Sequence, residues 1–166
     1  MTEPLTEPVL TNLQILLRLL LAFGCGAVIG LNREFHRKPA GFRTFGLVSI
    51  GSAIVMLVIE MERGTGADAV SRVMQGVLTG IGFLGAGVIF RRESPSKVAG
   101  LTTAAAVWLT AGLGMAAGAG QYAIVIVGMA LGLLLLLLGV PFERLLTRLM
   151  KKPGEKDADE EPGDTP

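Results

Sequence analysis

The sequence predicts an all-helical membrane protein of about five transmembrane helices, with its N-terminus outside and its C-terminus cytoplasmic. Three observations predict it. Of the 166 residues 51% are hydrophobic and only 17% are charged, where a soluble domain carries ~25%. Many of those charges fall in the last 24 residues, Glu143 to Pro166. The 45 residues from Val98 to Phe142 contain no charge at all. The 23 glycines are too many for a soluble helical domain but suit helices that pack closely in a bilayer.

A helix rises ~1.5 Å per residue, so about 20 apolar residues cross the hydrocarbon. The first span runs from Asn12 to Leu31, with Arg18 in its outer turns, where a long side chain can snorkel to water. The second, Thr44–Ile59, is bracketed by Arg43 and Glu60, and the third, Val73–Phe90, by Arg72 and Arg91. The long uncharged stretch would measure ~68 Å as one helix, so it folds back at Gly118-Ala119-Gly120-Gln121. That gives spans at Leu101–Ala117 and Tyr122–Val140, after which Pro141 breaks the pattern. The organisation is therefore a short extracytoplasmic segment (1–11), a five-span membrane domain (12–142), and a basic amphipathic stub with an acidic tail expected to be disordered (143–166).

Orientation follows from the basic residues. An outside N-terminus places twelve of the 15 Lys and Arg in cytoplasmic segments and leaves Arg18, Arg63 and Arg72 outside, a positive-inside bias that also favours an odd number of spans. The first 17 residues hold Glu3 and Glu7 but no basic residue, so no cleaved signal peptide is expected.

Four Gly-xxx-Gly pairs lie within spans: Gly26/Gly30, Gly76/Gly80, Gly114/Gly118 and Gly128/Gly132. Each lets another backbone approach closely, within a compact bundle or across a homodimer. The densest glycine segment holds Gly80, Gly82, Gly85 and Gly87. It reads as tight helix contact, or as an irregular half-helix whose backbone binds an ion. A nucleotide-binding loop is disfavoured, because no βαβ unit surrounds these glycines, and no nucleic-acid partner is expected.

The first cytoplasmic loop, Asn32 to Thr44, is a topological anchor in which Glu34 and Arg43 stand out. A carboxylate among cations near the membrane should be paired, and Arg43 at the start of the next helix is its natural partner. Thr102 and Thr103 open the fourth span, where they can cap the helix or bond a neighbour; Trp108 is expected to pack. No Asp or Glu lies mid-span, so no proton relay or acidic ion site is evident. With one Cys, Cys25, read as a packing residue, and one His, neither a zinc site nor a catalytic triad is expected.

Taken in order, Gly30-Leu31-Asn32-Arg33-Glu34, Pro39-Ala40-Gly41-Phe42-Arg43-Thr44, the segment Gly80–Gly87, and Gly100-Leu101-Thr102-Thr103-Ala104-Ala105 with Trp108 resemble the successive signatures of the MgtC/SapB family. The likeness covers about Leu13 to Val140. It implies a multi-pass protein of the bacterial inner membrane linked to growth in low Mg²⁺, with relatives that serve virulence. For those relatives it also implies regulation of the F-type ATP synthase or of membrane potential rather than proven Mg²⁺ transport. The matching positions are Arg33, Glu34, Arg43, Thr44, Thr102 and Thr103, with the glycines at 80, 82, 85 and 87. The family pattern carries an acid where this chain has Asn32, which counts against the first loop as a metal site; no cofactor is implied, and any Mg²⁺ path would need backbone carbonyls or loop acids such as Glu34 and Glu93. Two functions follow as expectations: a non-enzymatic regulator that binds another membrane complex, or a small oligomeric transporter or channel for Mg²⁺ or another ion.

Overall fold

The structure is a computed structural model that describes residues 10–62, 66–89 and 99–150. The expectations for the N-terminal segment before Leu10, for Arg63, for the segment holding Arg91, Arg92, Glu93 and Lys97, and for the acidic tail lie outside these residues. Five helices follow one another: α1 (Asn12–Phe35), α2 (Phe42–Met61), α3 (Ala67–Ile89), α4 (Leu101–Gly118) and α5 (Tyr122–Met150). Each is long and apolar enough to cross a membrane, and the described residues contain no strand.

Local chemistry sets the ends. Thr11 Oγ1 accepts from the Gln14 N–H at 3.3 Å while Gln14 Oε1 accepts from the Thr11 N–H at 2.9 Å, a capping box that starts α1. At its other end the Lys38 N–H donates to the Arg33 carbonyl and the Arg37 N–H to the Glu34 carbonyl, at 3.0 and 2.9 Å. Arg37 takes the left-handed position, at φ 51°, in this Schellman turn. The same motif ends α4, with Gln121 N–H to Ala116 O, Gly120 N–H to Ala117 O, and Gly120 at φ 68°. The chain reversal thus falls where the sequence placed it.

The helices outrun the expected spans. Asn32–Phe35, assigned to a loop, form the last turn of α1; α2 starts at Phe42 and α3 at Ala67. Charges mark where hydrocarbon ends, whereas backbone hydrogen bonding continues past them. Pro141 does not end α5, which runs on to Met150. Its ring fits helical φ, at the cost of the hydrogen bond that its missing N–H would make and of crowding against the carbonyl one turn back, which helices in a bilayer tolerate.

The chain divides into two units, residues 1–133 and 134–166. Among described residues the second is the C-terminal part of α5. In the first, α1, α2 and α4 pack on one another, with α1 antiparallel to the other two, and α3 lies against α4. A Cβ on Gly30 would stand 2.7 Å from Phe42 Cα, and one on Gly26 2.8 Å from the Phe45 carbonyl carbon. Further along the same face of α2, Cβ atoms on Gly114 and Gly118 would each stand 2.9 Å from a Cα, of Ser49 and Ala53 respectively. One face of helix α2 is therefore held backbone to backbone by both α1 and α4. Phe45, Ile29 and Val107 fill the core, and the buried Ser49 hydroxyl donates to the Ala22 carbonyl at 2.6 Å. Helix α5 meets α4 differently: Leu113 and Leu109 side chains occupy the notches at Gly128 and Gly132. Gly76 and Gly80 face open space. Cys25 is buried, while Trp108, expected to pack, is 51% exposed.

Candidate functional site

The last turn of α1, the first turn of α2 and the first turn of α4 meet at one end of the three-helix core. Arg33 sits there at 5% exposure. Its Nη2 donates to the buried Thr103 hydroxyl at 2.8 Å, and its Nε is buried without a partner, as is Asn32 Oδ1. No ion pair to Arg33 forms among the described residues. Thr103 belongs to the first turn of α4, whose N-cap Gly100 (φ 97°) supplies no side-chain cap. A cation at a helix N-terminus meets like partial charge, and burial strips it of water. Stability does not explain this arrangement.

Glu34 lies one residue on and faces α2. Its Oε2 accepts from the Phe42 N–H at 3.0 Å, which caps a helix whose N-cap, Gly41, has no side chain to do so. The expected pair with Arg43 does not form. The carboxylate takes the positive end of the helix, while Arg43 and Thr44 point outward and are exposed. A cleft of ≈ 550 Å³ opens beside them, lined by Glu34, Lys38, Gly41, Phe42, Arg43 and Thr44. These residues do not fit Mg²⁺, which takes carboxylates and retained waters; here the single carboxylate is committed to an amide and flanked by two cations. No group of three His, Cys, Asp or Glu that could hold a metal occurs among the described residues. Replacing Glu34 with Ala is expected to lower the thermal midpoint of the detergent-purified protein, at a cost of ~1 kcal/mol for a lost cap. Glu34→Gln, which still accepts, should retain most of it.

The structure thus joins Arg33 to Thr103 and Glu34 to the start of α2, and leaves Thr102 exposed. The glycine-rich segment is not part of this cluster. Helix α3 runs unbroken through it, so the half-helix reading is not what forms, and only Gly85 meets a neighbour, Ala104 Cβ at 3.6 Å. Sequence reasoning missed a second polar cluster at the opposite end of the core. Arg18 does not snorkel: its Nη1 pairs with Glu60 of α2 and donates to the Gly118 carbonyl of α4 at 2.8 Å. The Gly120 turn closes over the guanidinium. The readable signal was an unlike-charge pair bounding two spans on the same side.

Fold and clusters define a multi-pass helical membrane protein whose core is tied at both ends by arginines. The MgtC family model matches residues 19–145, and the chain belongs to the MgtC family. It is 47% identical over 121 residues to Protein SrpB of Synechococcus elongatus, covering 67% of this chain and 66% of SrpB. It is 40% identical over 148 residues to YhiD of Escherichia coli K12, covering 84% and 65%. To Protein MgtC of Salmonella typhimurium LT2 it is 42% identical over 107 residues, covering 64% and 44%. The chain spans no more than about two thirds of the length of these relatives. No solved structure matches it.

Proposed function

We propose that this is a non-catalytic protein of the bacterial inner membrane, N-terminus outside and C-terminus cytoplasmic, that adapts cells to low Mg²⁺ by binding and regulating another membrane complex. The F-type ATP synthase, or the membrane potential it shares, is the first candidate. One observation carries this reading. The α1, α2 and α4 core is closed by backbone contact at Gly26, Gly30, Gly114 and Gly118, which fills the space an ion path through the core would need. The surfaces left to act are outward ones. Family membership supports the link to magnesium. A second reading, an ion path enclosed between several copies, is favoured by the name of YhiD, which proposes a magnesium transporter.

Reconstitution tests both. In proteoliposomes holding purified ATP synthase, adding this protein is expected to reduce ATP-driven proton pumping, read by a quenched pH dye. In vesicles holding this protein alone, no saturable Mg²⁺ flux is expected. Unchanged pumping together with protein-dependent flux would reverse the order of the two readings.

A further inference from the structure

Helix α3 turns its polar side outward from its first turns into the start of its span. Asp68, Ser71, Arg72, Gln75 and Thr79 recur every three or four residues, hence along one face, and all are exposed. The buried residues of α3, Ile81 and Gly85, lie on another side. The 23-residue helix is ~34 Å long. The uncharged span begins after Arg72, so Gln75 stands about 5 Å and Thr79 about 10 Å inside that boundary along the axis. Lipid tails offer Gln75 and Thr79 nothing. Thr79 satisfies its own hydroxyl on the Gln75 carbonyl at 2.8 Å. Among the described residues the Gln75 carboxamide has only a long contact, 3.5 Å from Nε2 to Ser71 Oγ, and its oxygen meets no donor. Asp68 and Arg72, one turn apart, form no ion pair with each other. Beside this stripe, Gly76 and Gly80 have nothing within 4 Å and border a groove of ≈ 360 Å³ shared with Gly51, Ser52 and Val55 of α2.

We propose that this face of α3 is a homodimer interface, packed on the α3 of a second copy about a two-fold axis along the membrane normal. Every copy inserts the same way, so the two helices run parallel. A two-fold axis sets each residue against its own counterpart. A carboxamide both donates and accepts, so Gln75 complements itself. Asp68 of one copy comes beside Arg72 of the other, which gives charge complementarity. The flat surface at Gly76 and Gly80 admits the close approach that such bonds require. A lipid supplies no partner for Gln75, and an unrelated helix would need matching groups at the same heights.

The test uses the full chain in native membranes. In a Cys25→Ala background, single cysteines are placed on the stripe (Thr79→Cys, Gly82→Cys) and on the exposed flank of α1 (Leu17→Cys), then oxidised with copper phenanthroline. Disulfide-linked dimers are expected at 79 and 82 and not at 17. By single-molecule photobleaching in liposomes, Gln75→Leu should weaken the dimer about tenfold, the worth of a pair of hydrogen bonds across helices. Because Gln75 is exposed, this variant keeps its fold. Absence of cross-linking at both stripe positions overturns the proposal. So does cross-linking to a different protein alone, or undiminished dimerisation of Gln75→Leu.

Discussion

Gly114→Ala is expected to destabilise the protein markedly, and Gly114→Leu to leave no folded material to purify. The added Cβ would stand 2.9 Å from Ser49 Cα and overlap the Ser49 carbonyl as well. Both obstacles are backbone, so no side-chain rotation relieves them, and moving α2 off α4 also parts it from Gly26 and Gly30 of α1, which pack on the same face. Overpacking costs about 1–3 kcal/mol where a core can adjust, and this one has little freedom to. The matched control is Gly112→Ala on the same helix, where nothing lies within 4 Å and helix propensity gains about 1 kcal/mol. Thermal unfolding followed by fluorescence-detected size exclusion compares them. Equal midpoints for the two variants would show that the α2–α4 separation is adjustable after all.

The second large effect separates structure from function at Arg33. Thr103→Val keeps the shape but removes the one hydroxyl bonded to the guanidinium, leaving a buried cation with no partner at a cost of about 1–3 kcal/mol or more. Arg33→Met removes the cation itself. Replacing a poorly paired buried charge with an apolar side chain is neutral or stabilising, so this variant is expected to melt no lower than the parent, and the double variant to behave like Arg33→Met. Growth in low Mg²⁺ is the separate readout: Arg33→Met should be folded but unable to support it. A variant that unfolds would make Arg33 a structural group, and one that grows normally would remove it from the site.

Much of this architecture is legible in the sequence because bilayer thickness is a ruler. Spans, the fold-back at Gly118–Gln121 and two backbone-close Gly-xxx-Gly pairs follow from length, charge and side-chain size. Periodicity does not say which helices are neighbours, so Gly76/Gly80 looked the same as Gly26/Gly30, yet one pair is open and the other is seated on backbone. The same limit hid the clusters. The sequence pairs Glu34 with Arg43, the cation that opens the next helix, whereas an unsatisfied amide at the start of α2 is its partner in space. Arg33 was marked by resemblance alone; its partner Thr103 lies 70 positions away.

Those separations also set an order of events during synthesis. Arg18 finds Glu60 after 42 further residues and the Gly118 carbonyl after 100. An arginine at the centre of a lone helix opposes insertion by about 2.5–3.5 kcal/mol, and nearer the ends, where Arg18 and Arg33 lie, by less. The first helix therefore enters the bilayer with two charges whose partners have yet to emerge from the ribosome. It is completed only when the fourth helix arrives, so a chain interrupted after α2 has one arginine answered and the other still bare.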